Sequence, residues 1–261
     1  MFRKAHFAAA VVVLTRLMPR QGTAQDPGET FPLDARIAMH AVQGLVELHV
    51  DAILRGLHTL ASNADVQSGE WSRLQAPLTW WGRTLPDAAA VFFAHPDGSY
   101  YTVAQGETGE NLKSRPYFPV LMEGGDVQGS LVVSKSTGVK AAIIAAPIRR
   151  EGAIVGALGV SVSVDRLSKL IADRLRLPSN VVFYALAGDG TIALHNDPSM
   201  IFAKAPELGD AALKAEVERM LGGDRGVSRY TFRGMHRIAV FEKSPSTGWV
   251  FAVAETRSTD R

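Results

Sequence analysis

The side chains best suited to chemistry fall in one segment, residues 111–167. It opens with NLKSRPYFPVLMEGG, continues through SKSTGVKAAIIAAPI and closes with GAIVGALGVSVSVDRL. Arg115 offers a guanidinium, whose planar fork meets a carboxylate with two parallel hydrogen bonds. Tyr117 and Phe118 offer ring faces that enclose the apolar part of a small molecule. Two alternating β-runs follow directly. A cation and ring faces on a flap over a sheet are what a small-ligand module needs.

Other chemistries lack their residues. The chain has no cysteine, which removes disulfides, thiolate nucleophiles, Cys-ligated zinc, iron–sulfur clusters and a lipidated-Cys anchor. His40, His49 and His58 are spaced by nine, so neighbours face opposite sides of a helix, and the outer two lie about 27 Å apart. No HExxH, EF-hand loop or paired Asp cluster occurs, and His195-Asn196-Asp197 reads as a turn. No GxSxG elbow or SxxK is present. Gly152, Gly156 and Gly159 lie in an apolar run with no Lys-Ser/Thr after them, unlike a phosphate loop. Neither enzymatic activity, a metal nor a cofactor is expected.

The elements that must position the flap surround it. Residues 33–62 predict one long amphipathic helix. Ile37, Ala41, Leu45, Leu48 and Ala52 form one row, and Val42, Val46, Ile53, Leu57 and Leu60 widen the stripe. Arg36, Gln43, Glu47 and Arg55 fall toward the remaining surface, and Asp34 is placed to cap the first turn. Leu74, Leu78 and Trp81 predict a shorter helical segment over 68–81, interrupted near Pro77. At Ala89 the period changes: AVFFAHPDGSYYTVA reads as a hairpin about Asp97-Gly98. Polar loop residues then lead to SRPYF and a brief helix over 117–122. Strands follow at 130–134, 141–147 and 153–162, then a connecting helix at 165–175.

The pattern returns in VVFYALAGDGTIALH, a hairpin about Asp189-Gly190. A helix at 210–221 and strands at 226–232, 236–242 and 248–255 complete it. Hairpin, crossover with helix and three-stranded meander, read twice, predict two related modules that divide near 177–179.

Residues 1–24 read as a secretory signal: Arg3 and Lys4, an apolar run from Phe7 to Leu14, then Gly22-Thr23-Ala24. The alternative is a retained anchor. A Pro/Gly linker covers 25–32, and no later stretch approaches membrane-spanning length. The expected location is periplasmic or secreted. Loss of Arg3, Lys4, Arg16 and Arg20 moves the formal charge from +2 to −2. No basic excess then remains to attract nucleic acid.

On SRPYF with SKSTG, on AAPIRREGAIVGALGVSVSVDRL and on the closing STGWVFAV, the chain resembles the double Cache family of extracytoplasmic sensor domains. The resemblance covers roughly residues 31–254. It implies an α+β fold of two PAS-like modules of antiparallel sheet packed along a long N-terminal helix. The larger, membrane-distal-type module would span 33–178 with the helix, and the smaller, membrane-proximal-type one 179–256, before a tail at 257–261. It also implies a ligand site under the first flap. Arg115 takes the place of the arginine that grips a ligand carboxylate, and Tyr117 and Phe118 that of an aromatic pair. The acidic partner of a ligand ammonium falls at Ser161, and an upstream tyrosine near Glu110. A hydroxyl does not neutralise a buried ammonium. An uncharged or anionic molecule, such as a small carboxylate, is therefore expected over an α-amino acid.

Ser134, Ser161 and Trp81 complete the candidate ligand-binding set. Each candidate keeps a structural alternative: a surface ion pair or helix cap for Arg115, core packing for Tyr117, Phe118 and the tryptophans, outward strand hydroxyls for the serines.

These readings predict an exported, soluble protein that captures a small metabolite and presents it to a separate membrane receptor, sensor kinase or transporter. With only a few residues after the last predicted strand, no second membrane helix or output domain is expected. A homodimer through the long helix is implied by analogy. The rival is an interaction module with a degenerate pocket, for which a filled pocket and an apolar outer helix face would speak. A hydrolase is a distant third.

Overall fold

Asp34 starts the first helix, α1 (Ala35–Ala61), as its position predicts. Its carboxylate accepts the amides of Arg36 at 2.8 Å and Ile37 at 3.3 Å, two of the donors that a helix start leaves unpaired. Asp34→Ala is expected to cost about 1 kcal/mol, measured as a lower urea midpoint at unchanged slope. The computed structural model describes residues 34–257. The expected signal peptide (1–24), the linker (25–32) and residues 258–261 lie outside them.

α1 buries Ala38, Met39, Val42, Val46, Val50, Ile53, Leu57 and Ala61. The second predicted row therefore faces the core, and the first is turned outward. Ile37 is 68% exposed, Leu48 66% and Leu45 39%. Gln43, expected outside, is buried and donates to Glu47 at 2.9 Å. The apolar residues cover more of this helix than one face, so periodicity predicts a helix without selecting its inner side. Against the sequence expectation, α1 is also long and apolar enough to cross a membrane, the one such helix among the described residues. Here it serves as the core helix of the fold, packed on both sheets.

Two short helices, α2 (Ala64–Gln67) and α3 (Trp71–Gly82), lead to the first sheet. α3 runs through Pro77 without a break. A proline there leaves the carbonyl of Arg73 without its amide, and Arg73 is exposed, so water can satisfy it.

The first sheet contains β1 (Ala88–Ala94), β2 (Ser99–Thr102), β3 (Gly106–Asn111), β4 (Val127–Val133), β5 (Lys140–Arg150) and β6 (Ala153–Ser163). A short helix, α4 (Phe118–Met122), crosses between β3 and β4. α5 (Val164–Leu175) joins this sheet to the second, made of β7 (Val181–Leu186), β8 (Ile192–His195), β9 (Arg225–Phe232), β10 (Met235–Lys243) and β11 (Val250–Arg257). α6 (Ala211–Gly222) crosses between β8 and β9. The strand orders are β3-β2-β1-β6-β5-β4 and β8-β7-β11-β10-β9, antiparallel throughout. In both, the last strand returns beside the first. Apart from the added edge strand β3, the second order repeats the first. This is an α+β fold of two PAS-like modules.

β3 replaces what the sequence predicts as loop. GETGEN carries little β propensity, and the strand forms at the solvated sheet edge, where Thr108 donates to the Tyr100 carbonyl at 2.9 Å.

One core lies between α1 and both sheets, joining Val46 and Ile53 to Ile144, Leu158 and Val160 of the first and Phe183, Phe251 and Val253 of the second. Each sheet has a further core on its opposite face, beneath α4 in one and α6 in the other. The histidines of α1 each meet a different acid: His40 pairs with Glu242 at 3.3 Å, His49 with Asp87 at 2.7 Å and His58 with Asp126 at 3.0 Å. They dock the helix.

Candidate functional site

One bond back to the β1–β2 turn and two consecutive tight turns build the flap. The amide of Leu112 bonds Gly98 at 2.8 Å, that of Arg115 bonds Leu112 at 2.8 Å, and that of Phe118 bonds Arg115 at 3.0 Å. This folds SRPYF over the face of the first sheet that α1 does not cover. Strand alternation supplies the floor. Leu158, Val160 and Val162 of β6 turn toward α1, so Ala157, Gly159 and Ser161 turn toward the flap.

Arg115, Tyr117, Ser134 and Ser161 converge on one chamber between flap and floor. Sequence separations of up to 46 residues close into one place. Arg115 is half-buried and donates from Nη2 to the Val133 carbonyl at 2.7 Å, with its other donors left over. Burial pushes the Tyr117 phenol up to about 12, against the opposing pull of Arg115. It is therefore a protonated donor at neutral pH. Ser161 sits mid-sheet, opposite Ala90 of β1 and Ile143 of β5.

Ser134 lines the chamber, but a turn occupies its hydroxyl. Oγ accepts the Thr137 amide at 3.3 Å and meets Ser136 Oγ at 3.3 Å. SPSTG at Ser244–Gly248 makes the same turn between β10 and β11, with Ser244 Oγ accepting Thr247 at 3.2 Å and meeting Ser246 at 3.1 Å. Gly138 and Gly248 take matching φ of 69° and 70°, a region that favours glycine. The repeated STG is thus a turn signature first.

Two candidates fall elsewhere. Phe118 is buried in the core beneath α4, one position past the residues that reach the chamber. Trp81 lays its indole against Gly56 of α1 and packs on the main core. Helix-end aromatics have a large apolar area to bury, and here α1 covers it.

Sequence reasoning missed Lys135, Phe92 and Tyr100, which also line the chamber. Lys135 Nζ donates to the Asn111 carbonyl at 2.7 Å and stands 3.7 Å from Glu110 at the rim. Phe92 decides the chamber's size. A Cβ on Gly159 would lie 2.2 Å from Phe92 Cζ, so the ring rests on the floor itself. The remaining cavity is about 20 Å³, room for about one water. Two cations and no carboxylate line it.

No family model matches the chain, and no curated protein matches it. Solved structures do. The chain is similar to an extracellular ligand-binding receptor from Desulfohalobium retbaense, with TM-score 0.66 and 16% identity over 84% of its own length. It spans 39% of that receptor. It is similar to the ligand-binding domain of the Pseudomonas aeruginosa amino-acid chemoreceptor PctB in complex with L-Arg. There the TM-score is 0.63 and the identity 19%, covering 87% of this chain and 92% of that one. The sensor domain of the Vibrio cholerae histidine kinase DctB matches with TM-score 0.61 and 14% identity, over 85% and 96%. At these identities the likeness establishes the fold.

Proposed function

We propose that this chain, whose architecture is the double Cache fold, is an extracytoplasmic sensor-type domain that binds a small anionic metabolite in its first module. The lining of that chamber carries the reading: Arg115, with no carboxylate paired to it among the described residues, beside Lys135, whose partner Glu110 stands at the rim outside the lining. PctB and the Pseudomonas fluorescens chemoreceptor CtaA are solved with L-arginine and L-isoleucine. An amino acid would bring an ammonium to this chamber, where Ser161 offers it only a hydroxyl. A small carboxylate fits the two cations better. The reading is binding, not catalysis, with modules divided at 178/179 and the captured ligand presented to a separate receptor, kinase or transporter.

Because the cavity is about 20 Å³, any organic ligand enters only as Phe92 or the flap moves aside. That is a population shift its binding energy must supply. Thermal-shift screening of carboxylates, amino acids, amines and purines tests the reading. A carboxylate at a hundred times its Kd is expected to stabilise the chain by about 2.7 kcal/mol. Arg115→Gln should weaken binding by about tenfold or more. No stabilising compound, or an Arg115→Gln protein with the wild-type response, would overturn it.

A second reading, an interaction module without ligand, is favoured by the filled chamber together with the exposed Ile37, Leu45 and Leu48 of α1. A concentration-dependent dimer lost on Leu48→Glu, with no ligand found, would select it.

A further inference from the structure

The second sheet holds a chamber in the corresponding place, on the face away from α1 and beneath α6, and it is larger. Its cavity of about 50 Å³ has room for about three or four waters. Tyr184 and Leu186 of β7 and Ile192 of β8, all buried, line its sheet side. Across it the Tyr230 hydroxyl donates to Tyr184 Oη at 3.1 Å. The Tyr184 proton is left with only Met220 sulfur, at 3.9 Å, a weak acceptor. Leu213, Val217 and Met220 of α6 close the roof.

Arg237 packs over Phe232 and meets the Tyr230 hydroxyl, yet one of its donors is left unused. It stands beside Tyr230 on the neighbouring strand, its guanidinium 5.0 Å from the Phe232 ring centroid. Its Nε is buried and has no hydrogen-bond acceptor. Among the described residues no carboxylate pairs with it. Glu216 also lines the chamber, but Arg219 at 2.8 Å and Ser228 at 2.7 Å hold that carboxylate. Arg233 adds positive potential from over Phe232, at 5.1 Å. On the far wall, His195 Nδ1 accepts the Asp197 amide at 2.8 Å, which puts the ring proton on Nε2. Burial, ahead of the pull of Asp197, lowers His195 to about 4. At neutral pH the ring is an uncharged donor.

A buried guanidinium donor lacking an acceptor is costly, and a ligand oxygen in the cavity beside it would supply one. We propose that this is a second binding chamber, for a short-chain aliphatic carboxylate such as acetate, propionate or butyrate. Arg237 holds the carboxylate, with the Tyr184–Tyr230 hydroxyl pair and His195 as further donors, and the apolar roof takes the alkyl chain. The proposal stands independently of the reading of the first chamber.

Isothermal titration of the full chain with these acids tests it. Arg237→Gln is expected to weaken binding by about tenfold or more. Val217→Phe, which fills the chamber and leaves every polar group in place, should abolish it. Arg115→Gln should leave this binding event unchanged, whether or not a first-chamber event is also seen. If Arg237→Gln fails to fold, the contrast of Val217→Phe with Arg115→Gln decides. No binding of any of the three acids at millimolar concentration overturns the proposal. So does binding that Arg115→Gln removes while Val217→Phe and Arg237→Gln leave it intact.

Discussion

The substitution His49→Leu is expected to destabilise the chain by about 2–3 kcal/mol, the cost of leaving a buried carboxylate without its hydrogen-bond partner. His49 Nε2 lies 2.7 Å from Asp87 Oδ2, and the Asp87 side chain is only 4% exposed. The other carboxylate oxygen, Oδ1, is buried with no partner, so the imidazole is the side-chain contact that holds this carboxylate. Asp87 sits where the chain enters β1, and its carbonyl accepts the Ser163 amide at 2.9 Å at the start of α5. Losing the pair therefore loosens α1, the first strand and the exit of β6 together. Urea unfolding followed by circular dichroism measures the loss. Adding Asp87→Asn to His49→Leu should recover part of it, because no charge is then stranded. A single-variant cost below about 1 kcal/mol would place the pair among solvated ones and refute the docking role given to His49.

Trp249→Ala is expected to cost more, about 3–5 kcal/mol. Trp249 begins the last strand pairing of the second sheet, yet its indole Nε1 donates to the Gly129 carbonyl of β4 at 3.1 Å. The ring is 2% exposed and belongs to the core shared with α1. Removing it opens a cavity at the seam between the modules and strands the Gly129 acceptor. Lys140, which donates across the same seam to Ile201 at 2.7 Å, cannot fill that volume. Denaturant unfolding by far-UV circular dichroism checks it, since the probe does not depend on the removed indole. Unchanged stability would mean that the Trp249–Gly129 contact plays no part in holding the modules together.

The fold was legible wherever local chemistry and global packing agree. Asp97-Gly98 and Asp189-Gly190 announce their hairpins because turn residues act locally, and Asp34 caps α1 for the same reason. Pro77 misleads because its cost depends on whether water reaches the Arg73 carbonyl. β3 was hidden because GETGEN has no apolar alternation, and only the neighbouring edge of β2 makes it a strand. The inner side of α1 was chosen by two sheets that are remote in sequence. In the site, SRPYF carried a signal because flap residues are contiguous. Lys135 was overlooked inside a turn motif, and Phe92 fills the chamber only because β6 puts Gly159 opposite it. The chamber under α6 was invisible: Tyr184, His195, Tyr230 and Arg237 come from four strands and form no motif.

The account turns on what the Arg115 guanidinium touches. Nuclear magnetic resonance of arginine side chains, recorded while a carboxylate found by screening is titrated in, reads that contact directly. The account predicts a saturable shift of the Arg115 Nε–H resonance that Tyr117→Phe weakens and that glycine or alanine does not reproduce at equal concentration. An Arg115 signal that stays still while a ligand demonstrably binds would contradict it.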